Sequence, residues 1–174
     1  SIAIGQGEVN LTPLQIANLG ATIANRGYFY TPHVVKEIQG EELDTLYTRP
    51  RRTMVDREYY EIVVQGMRAA VTGGTCRGAN NSWYEVCGKT GTAQNPHGQD
   101  HSVFMGFAPK DDPQIAICVY VENGHFGATF GVPIGALMME QYLRGSLCEA
   151  SELRAQQFET THLYKPYDYV STAQ

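Results

Sequence analysis

Three extended runs, 86–94 (VCGKTGTAQ), 102–108 (SVFMGFA) and 115–121 (IAICVYV), are separated only by stretches containing the turn signals NPHG and PKDDP. Runs rich in β-branched and aromatic residues, bounded by Pro, Gly, Asn and Asp, read as strands and turns. Such short connections join antiparallel neighbours, because a parallel crossover takes about a dozen residues or more. An antiparallel meander is therefore the centre of the chain. The third run is apolar on both alternations, which predicts a central strand buried on both faces. No later segment can pair beside it and the β-rich stretch at 28–48 is a poor candidate, so its outer partner is expected upstream of residue 1.

Helical patterns lie before and after the meander. Thr12 is the expected N-cap, with Pro13 at N1, Gln15 completing a capping box and Leu11 packing on Ile16 as a staple. Leu14, Ala17, Ala21 and Ala24 form its apolar stripe, and Gly27 is the expected left-handed stop. Residues 28–38 read as a strand, with 43–48 returning as the second arm of a hairpin. Asp56 heads a helix over about 57–72, with Tyr60, Val63, Val64, Met67 and Val71 on one face and Gly73-Gly74 at its end. A last helix is predicted at about 130–144, with Ile134, Leu137, Met138 and Leu143 as its apolar side. Residues 148–174 are expected to be a loosely attached polar tail. Strands in one block, with helices before and after, make this an α+β chain with an antiparallel sheet flanked by helices.

At 174 residues the chain can build one domain with a real core. Its net charge of −5 argues against a nucleic-acid partner. The one basic cluster, Arg49-Pro50-Arg51-Arg52, reads as a solvated turn. No apolar run approaches the roughly 20 residues of a membrane span. Residue 1 opens onto a Gly-punctuated loop with no signal peptide, which points to a piece of a longer protein. In an oxidising compartment Cys76 and Cys87 could pair. His97, Asp100 and His101 could seed a metal site with a cysteine, but the blander reading is a polar hairpin tip.

The first strand carries the chemistry. Gly88-Lys89-Thr90-Gly91-Thr92 places a cation and two hydroxyls on a run whose glycines let a ligand approach the backbone. This predicts an anion-binding sheet edge. The run is not a phosphate-binding P-loop, G-x-x-x-x-G-K-[ST]. Its first glycine would fall at Trp83, and the following AQNPHGQ cannot open the helix that such a loop needs.

The run Gly88 to Gln94 (GKTGTAQ) resembles the third motif of the penicillin-binding transpeptidases. SVFMGFAP at 102–109 looks like the strand that follows that motif, and VYVENG at 119–124 like the next. Ile4-Gly5-Gln6-Gly7 with LTPLQIA at 11–17 is similar to the helical segment preceding the motif in class B members. The order agrees over roughly residues 1–147, and implies part of a β-lactamase/transpeptidase-like fold.

The resemblance also implies a reaction. A serine attacks the D-Ala-D-Ala bond of a peptidoglycan stem peptide, and a second stem peptide resolves the acyl-enzyme into a cross-link; β-lactams mimic the first substrate. Thr90 and Thr92 would hold the substrate carboxylate, the Thr92 N–H would be an oxyanion-hole donor, Lys89 would add positive potential, and Gly91 would keep the strand face open. No metal and no cofactor is expected. The implied location is the periplasmic face of the bacterial inner membrane, anchored by an upstream segment. A strict period of two puts Lys89 opposite Thr90 and Thr92, so its long side chain or a local twist must bring the ammonium round.

The family's other two motifs, S-x-x-K and S-x-N, do not occur. The serines stand at 1, 82, 102, 146, 151 and 171, and none has Lys three or Asn two places on. The nucleophile and its base are expected in the N-terminal part of the same protein. Val103 stands where a Trp is common in the family. Two rival readings remain: a non-catalytic module sensing β-lactams or peptides, and an inert fragment that self-associates through its exposed sheet edge.

Overall fold

A computed structural model describes residues 8–163. The Ile4-Gly5-Gln6-Gly7 segment and the last eleven residues of the expected tail lie outside the described residues.

The meander forms as read. Strands β3 (Cys87–Ala93), β4 (His101–Ala108) and β5 (Ile115–Val121) make a three-stranded antiparallel sheet in the order β3-β4-β5. The strand buried between two others is thus β4, and β5 is an edge among the described residues. Its two apolar alternations are accounted for differently: helix α1 (Pro13–Ala24) packs on one face and helix α4 (Gly131–Arg144) on the other. Apolarity on both faces reports what lies above and below a strand, and does not report what lies beside it. The free outer edge of β5 is where the expected upstream partner would add.

α1 begins with the predicted capping box: Thr12 accepts from the Gln15 N–H, and the Gln15 side chain accepts from the Thr12 N–H at 2.8 Å. Its end departs from expectation. Arg26, at φ 55°, takes the left-handed position after the cap, and Gly27 behind it also has a positive φ, 106°. The Gly27 N–H donates to Thr22 O and the Arg26 N–H to Ile23 O, at 2.9 and 3.0 Å. This is a Schellman closure with arginine in the position usually held by glycine. Leu11 and Leu14 are exposed, and the buried face of α1 is Gly20, Thr22, Ile23 and Ala24.

The expected hairpin over 28–48 does not form. β1 (Tyr28–Phe29) pairs instead with β2 (Arg51–Arg52). Residues 45–48 are a single helical turn, α2 (Thr45–Thr48), because Asp44 caps it by accepting from the Leu46 N–H at 2.7 Å. The arginine cluster is not a plain solvated turn either: Arg51 and Arg52 stack on Phe29 and Tyr28.

Helix α3 (Arg57–Thr72) lies where predicted and buries Val64, Met67 and Val71. On α4 the buried side is Val132, Gly135 and Met139, rotated from the predicted one, and Met138 is exposed. Residues 149–159 of the expected tail form a helix, α5 (Glu149–Glu159). It is tied to α4 by the buried Glu140, which accepts from the Cys148 N–H at 2.7 Å and the Ser151 hydroxyl, and by a Phe130–Phe158 ring contact.

The core splits at the sheet. Phe104, Ile117, Val119, Val132 and Met139 pack between the sheet and α4, together with Cys76. Ile23, Ala24, Val64, Met67, Cys87 and Phe107 pack on the other side, between the sheet, α1 and α3. Cys76 and Cys87 are therefore free thiols in separate clusters, and the pairing considered from the sequence does not occur.

Candidate active site

β3 has one ladder among the described residues, to β4, so its other edge is free of strand pairing. The register Lys89↔Met105, Thr90↔Phe104, Gly91↔Val103 and Thr92↔Ser102 sorts the side chains. Thr90 and Thr92 share the face of Phe104 and Ser102, toward α4. Lys89 starts from the face of Met105, toward α1. Its length brings the ammonium back round: Nζ donates to the Thr90 carbonyl at 2.7 Å.

Each hydroxyl has a definite neighbour. Thr90 Oγ1 lies 2.8 Å from Thr75 Oγ1. Thr92 Oγ1 accepts from the Gly127 N–H at 3.4 Å. Gly127 belongs to the loop between β5 and α4, which is fastened by Ser102: its hydroxyl donates to Phe126 O at 2.8 Å and accepts from the Gly131 N–H at 2.9 Å. The Ser102–Gly131 bond also satisfies an otherwise unpaired donor at the start of α4.

The Thr90 backbone faces away from β4. Its amide is directed at the Cys76 sulfur and its carbonyl at Lys89. Burial raises the pKa of the Cys76 thiol, against the opposing effects of the Thr75 hydroxyl, the Thr90 amide and the Lys89 charge. In an antiparallel strand the N–H and C=O of one residue point the same way, and the pattern repeats every second residue. The Thr92 N–H is thus directed at the same open edge. Gly91 leaves room for its cross-strand neighbour: a Cβ there would lie 3.2 Å from Val103 Cβ.

Ion pairs fix the entry of β3. Arg68 donates to Glu85 at 3.1 Å and to Val86 O at 3.0 Å, and Lys110 lies 3.3 Å from Glu85. Lys110, then Arg68, holds the Glu85 carboxyl below the usual carboxylate range. At the other end an open cleft of about 1140 Å³ lies beside the first turn of α1, lined by Ile16, Gly91, Ala93, His101, Val103 and Tyr120 among others. The hairpin tip there is held by side chains: Asp100 accepts from the Asn95 N–H at 3.3 Å, Asn95 Oδ1 from the His97 N–H at 3.0 Å, and His101 Nδ1 from the Asn123 N–H at 3.1 Å. Among the described residues no three His, Cys, Asp or Glu side chains could share a metal ion.

The structure therefore brings Lys89, Thr90, Gly91 and Thr92 together along one edge. It adds Thr75 and Gly127, which the sequence did not single out. Thr75 sits in a stretch with no period, and only packing delivers it to Thr90.

A profile described as "Penicillin binding protein transpeptidase domain" matches residues 1–140. The peptidoglycan D,D-transpeptidase MrdA of Acinetobacter baumannii is 34% identical over 148 residues, covering 74% of this chain and 22% of that protein. The corresponding figures for the peptidoglycan D,D-transpeptidase PbpA of Mycolicibacterium smegmatis are 35% over 156 residues, 82% and 31%. Pseudomonas aeruginosa PBP2, in complex with WCK 5153, superposes with a TM-score of 0.73 at 37% identity, over 86% of this chain and 32% of that one. The chain spans between about a fifth and a third of the length of these relatives. Its antiparallel sheet with flanking helices is part of the β-lactamase/transpeptidase fold of these neighbours. Fold and sequence agree across most of its length, and the chain belongs to the penicillin-binding protein transpeptidase domain family.

Proposed function

We propose that this chain is the C-terminal part of a peptidoglycan D,D-transpeptidase and forms the wall of its active site that holds the substrate carboxylate. The observation that carries the reading is the free edge of β3. There the Lys89 ammonium, the Thr90 and Thr92 hydroxyls and the Thr92 N–H gather within one short run. A peptide lying along this edge meets donors and positive charge where its terminal carboxylate would sit. The Thr92 N–H serves as one oxyanion-hole donor, a role worth about 3 kcal/mol in the transition state. Lys89 adds positive potential to the cleft.

The attacking serine and its base come from an upstream segment of the same polypeptide, which also anchors the domain at the periplasmic face of the inner membrane. β-Lactams occupy the same site as stem-peptide mimics. The M. tuberculosis relative penicillin-binding protein A has been described as imipenem and penicillin G acyl-enzyme complexes.

Mass spectrometry after incubation with penicillin G tests the reading. The chain by itself acquires no serine-linked adduct, and the full-length protein acquires one, on a serine ahead of residue 1. Thr92→Ala in the full-length protein keeps the oxyanion-hole N–H and removes only the hydroxyl contact to the substrate carboxylate, so it slows acylation roughly tenfold. A stoichiometric adduct on a serine of this chain, or an unreactive full-length protein, would overturn it.

A further inference from the structure

We propose that Thr75 is a positioning residue for the substrate carboxylate, acting by pinning the Thr90 hydroxyl in a donor orientation. The inference rests on the reading of Thr90 as a carboxylate contact.

Thr75 Oγ1 and Thr90 Oγ1 lie 2.8 Å apart, so one donates to the other. Each hydroxyl has a single proton. A carboxylate only accepts, so a Thr90 that binds one must spend its proton there and must accept from Thr75. The Thr75 hydroxyl also meets the Cys76 sulfur, but burial holds Cys76 as the thiol, a weaker acceptor than the Thr90 oxygen, so the Thr75 proton goes to Thr90. The chain of donation then runs from Thr75 to Thr90 to the carboxylate. Hydrogen bonds in such a chain polarise one another, which strengthens the outer one.

Thr75 is delivered rigidly. The Gly74 and Cys76 N–H groups both donate to Ala70 O, at 3.1 and 2.9 Å, which closes the end of α3. A Cβ at Gly74 would lie 2.8 Å from Ala70 Cα, so the turn admits no side chain there. The next residue, Cys76, is buried and faces the Thr90 amide. The Thr75-Cys76 pair thus holds the threonine through its hydroxyl and its backbone at once.

The test uses the full-length protein and two probes: a penicillin with its free carboxylate and the methyl ester of the same penicillin. Thr75→Val keeps the shape and removes the proton. It is expected to lower the acylation rate constant for the free acid roughly fivefold to tenfold. It leaves the rate for the ester within about twofold, and Thr75→Ser restores the free-acid rate. An equal fall with both probes would assign Thr75 a purely structural role. An unchanged free-acid rate in Thr75→Val would overturn the proposal outright. Thr90→Val separates the two levels: if it also fails to discriminate acid from ester, the carboxylate reading of Thr90 is wrong and Thr75 has nothing to position. If only Thr90→Val discriminates, the site stands and the role of Thr75 does not.

Discussion

The Lys89 ammonium lies 2.7 Å from the carbonyl oxygen of Thr90, the residue whose side chain points to the other face of the strand. The contact resolves the conflict that a period of two creates within the Lys-Thr-Gly-Thr run. The sheet does not twist the lysine round; four methylenes carry the charge over the free edge.

That geometry predicts a separation of function from stability at Lys89. The side chain is exposed, and the one hydrogen bond described for it is to the adjacent residue. Lys89→Ala in the full-length protein should lower penicillin acylation roughly tenfold to a hundredfold. It should leave the urea midpoint unchanged. Lys89→Arg should recover only part of the rate, since a planar guanidinium does not replace a compact ammonium. Stopped-flow acylation kinetics beside urea titrations check both halves.

The ring of Phe104, fully buried, is enclosed by three glycines. A Cβ built at Gly88, Gly106 or Gly135 would come within 2.5, 2.6 and 2.5 Å of its ring atoms. Gly135→Ala should therefore cost about 1–3 kcal/mol by overpacking. Phe104→Leu should cost stability alone and less in the Gly135→Ala background, because the smaller side chain makes room for the methyl. A double-mutant cycle in urea reads the coupling. Additive losses would show that the ring is not held by Gly135.

Arg26 combines a left-handed backbone with a buried guanidinium. It donates to Ala24 O at 2.6 Å, to Lys110 O at 3.0 Å and to Glu61 at 3.3 Å. Arg26→Ala loses all three bonds and keeps the strained φ, and should cost roughly 2–4 kcal/mol. Arg26→Gly loses the same bonds but relieves the backbone, so it should be the milder change by about 1 kcal/mol. Thermal unfolding of the two variants ranks them; equal losses would remove the backbone part of the account.

Glu140 makes the docking of α5 depend on pH. Burial alone would raise its pKa, but the Ser151 hydroxyl, the Cys148 backbone and thiol and the Arg144 guanidinium together hold it below its ordinary value. A carboxyl with a depressed folded pKa contributes stability that is fully present above its unfolded pKa, about 4.3. That contribution is lost as the pH falls through the folded value. Glu140→Gln should thus destabilise the protein by roughly 1–3 kcal/mol at neutral pH, with the gap to wild type closing below about pH 4. The single tryptophan, Trp83, whose ring carries Arg144 at 3.7 Å, offers a fluorescence readout beside this network.

Much of the fold is legible from neighbouring residues alone. The capping box at Thr12 and Gln15, the span of α3, the three strands and their turns, and the Lys-Thr-Gly-Thr run all follow from periods, caps and turn residues within a few positions. The failures are those of local pattern meeting distant partners. The β-rich stretch after Gly27 supplies only a two-residue strand, because its partner is Arg51–Arg52 and Asp44 caps a helical turn between them. α5 has a polar sequence with no apolar stripe to announce it, and its attachment depends on Glu140 of α4 and on Phe130 just ahead of that helix.

The sequence by itself determined which groups stand together on one strand: the Lys89 cation and the Thr90 and Thr92 hydroxyls, spaced by glycines. Tertiary structure alone decided how they are presented. Among the described residues β3 pairs only with β4, which leaves its other edge without a strand, and Thr75 reaches Thr90 because α3 ends against that edge. A hydrogen bond between residues fifteen apart leaves no trace in either one's neighbours. It exists only once burial of Val64, Met67 and Val71 has set α3 against the sheet.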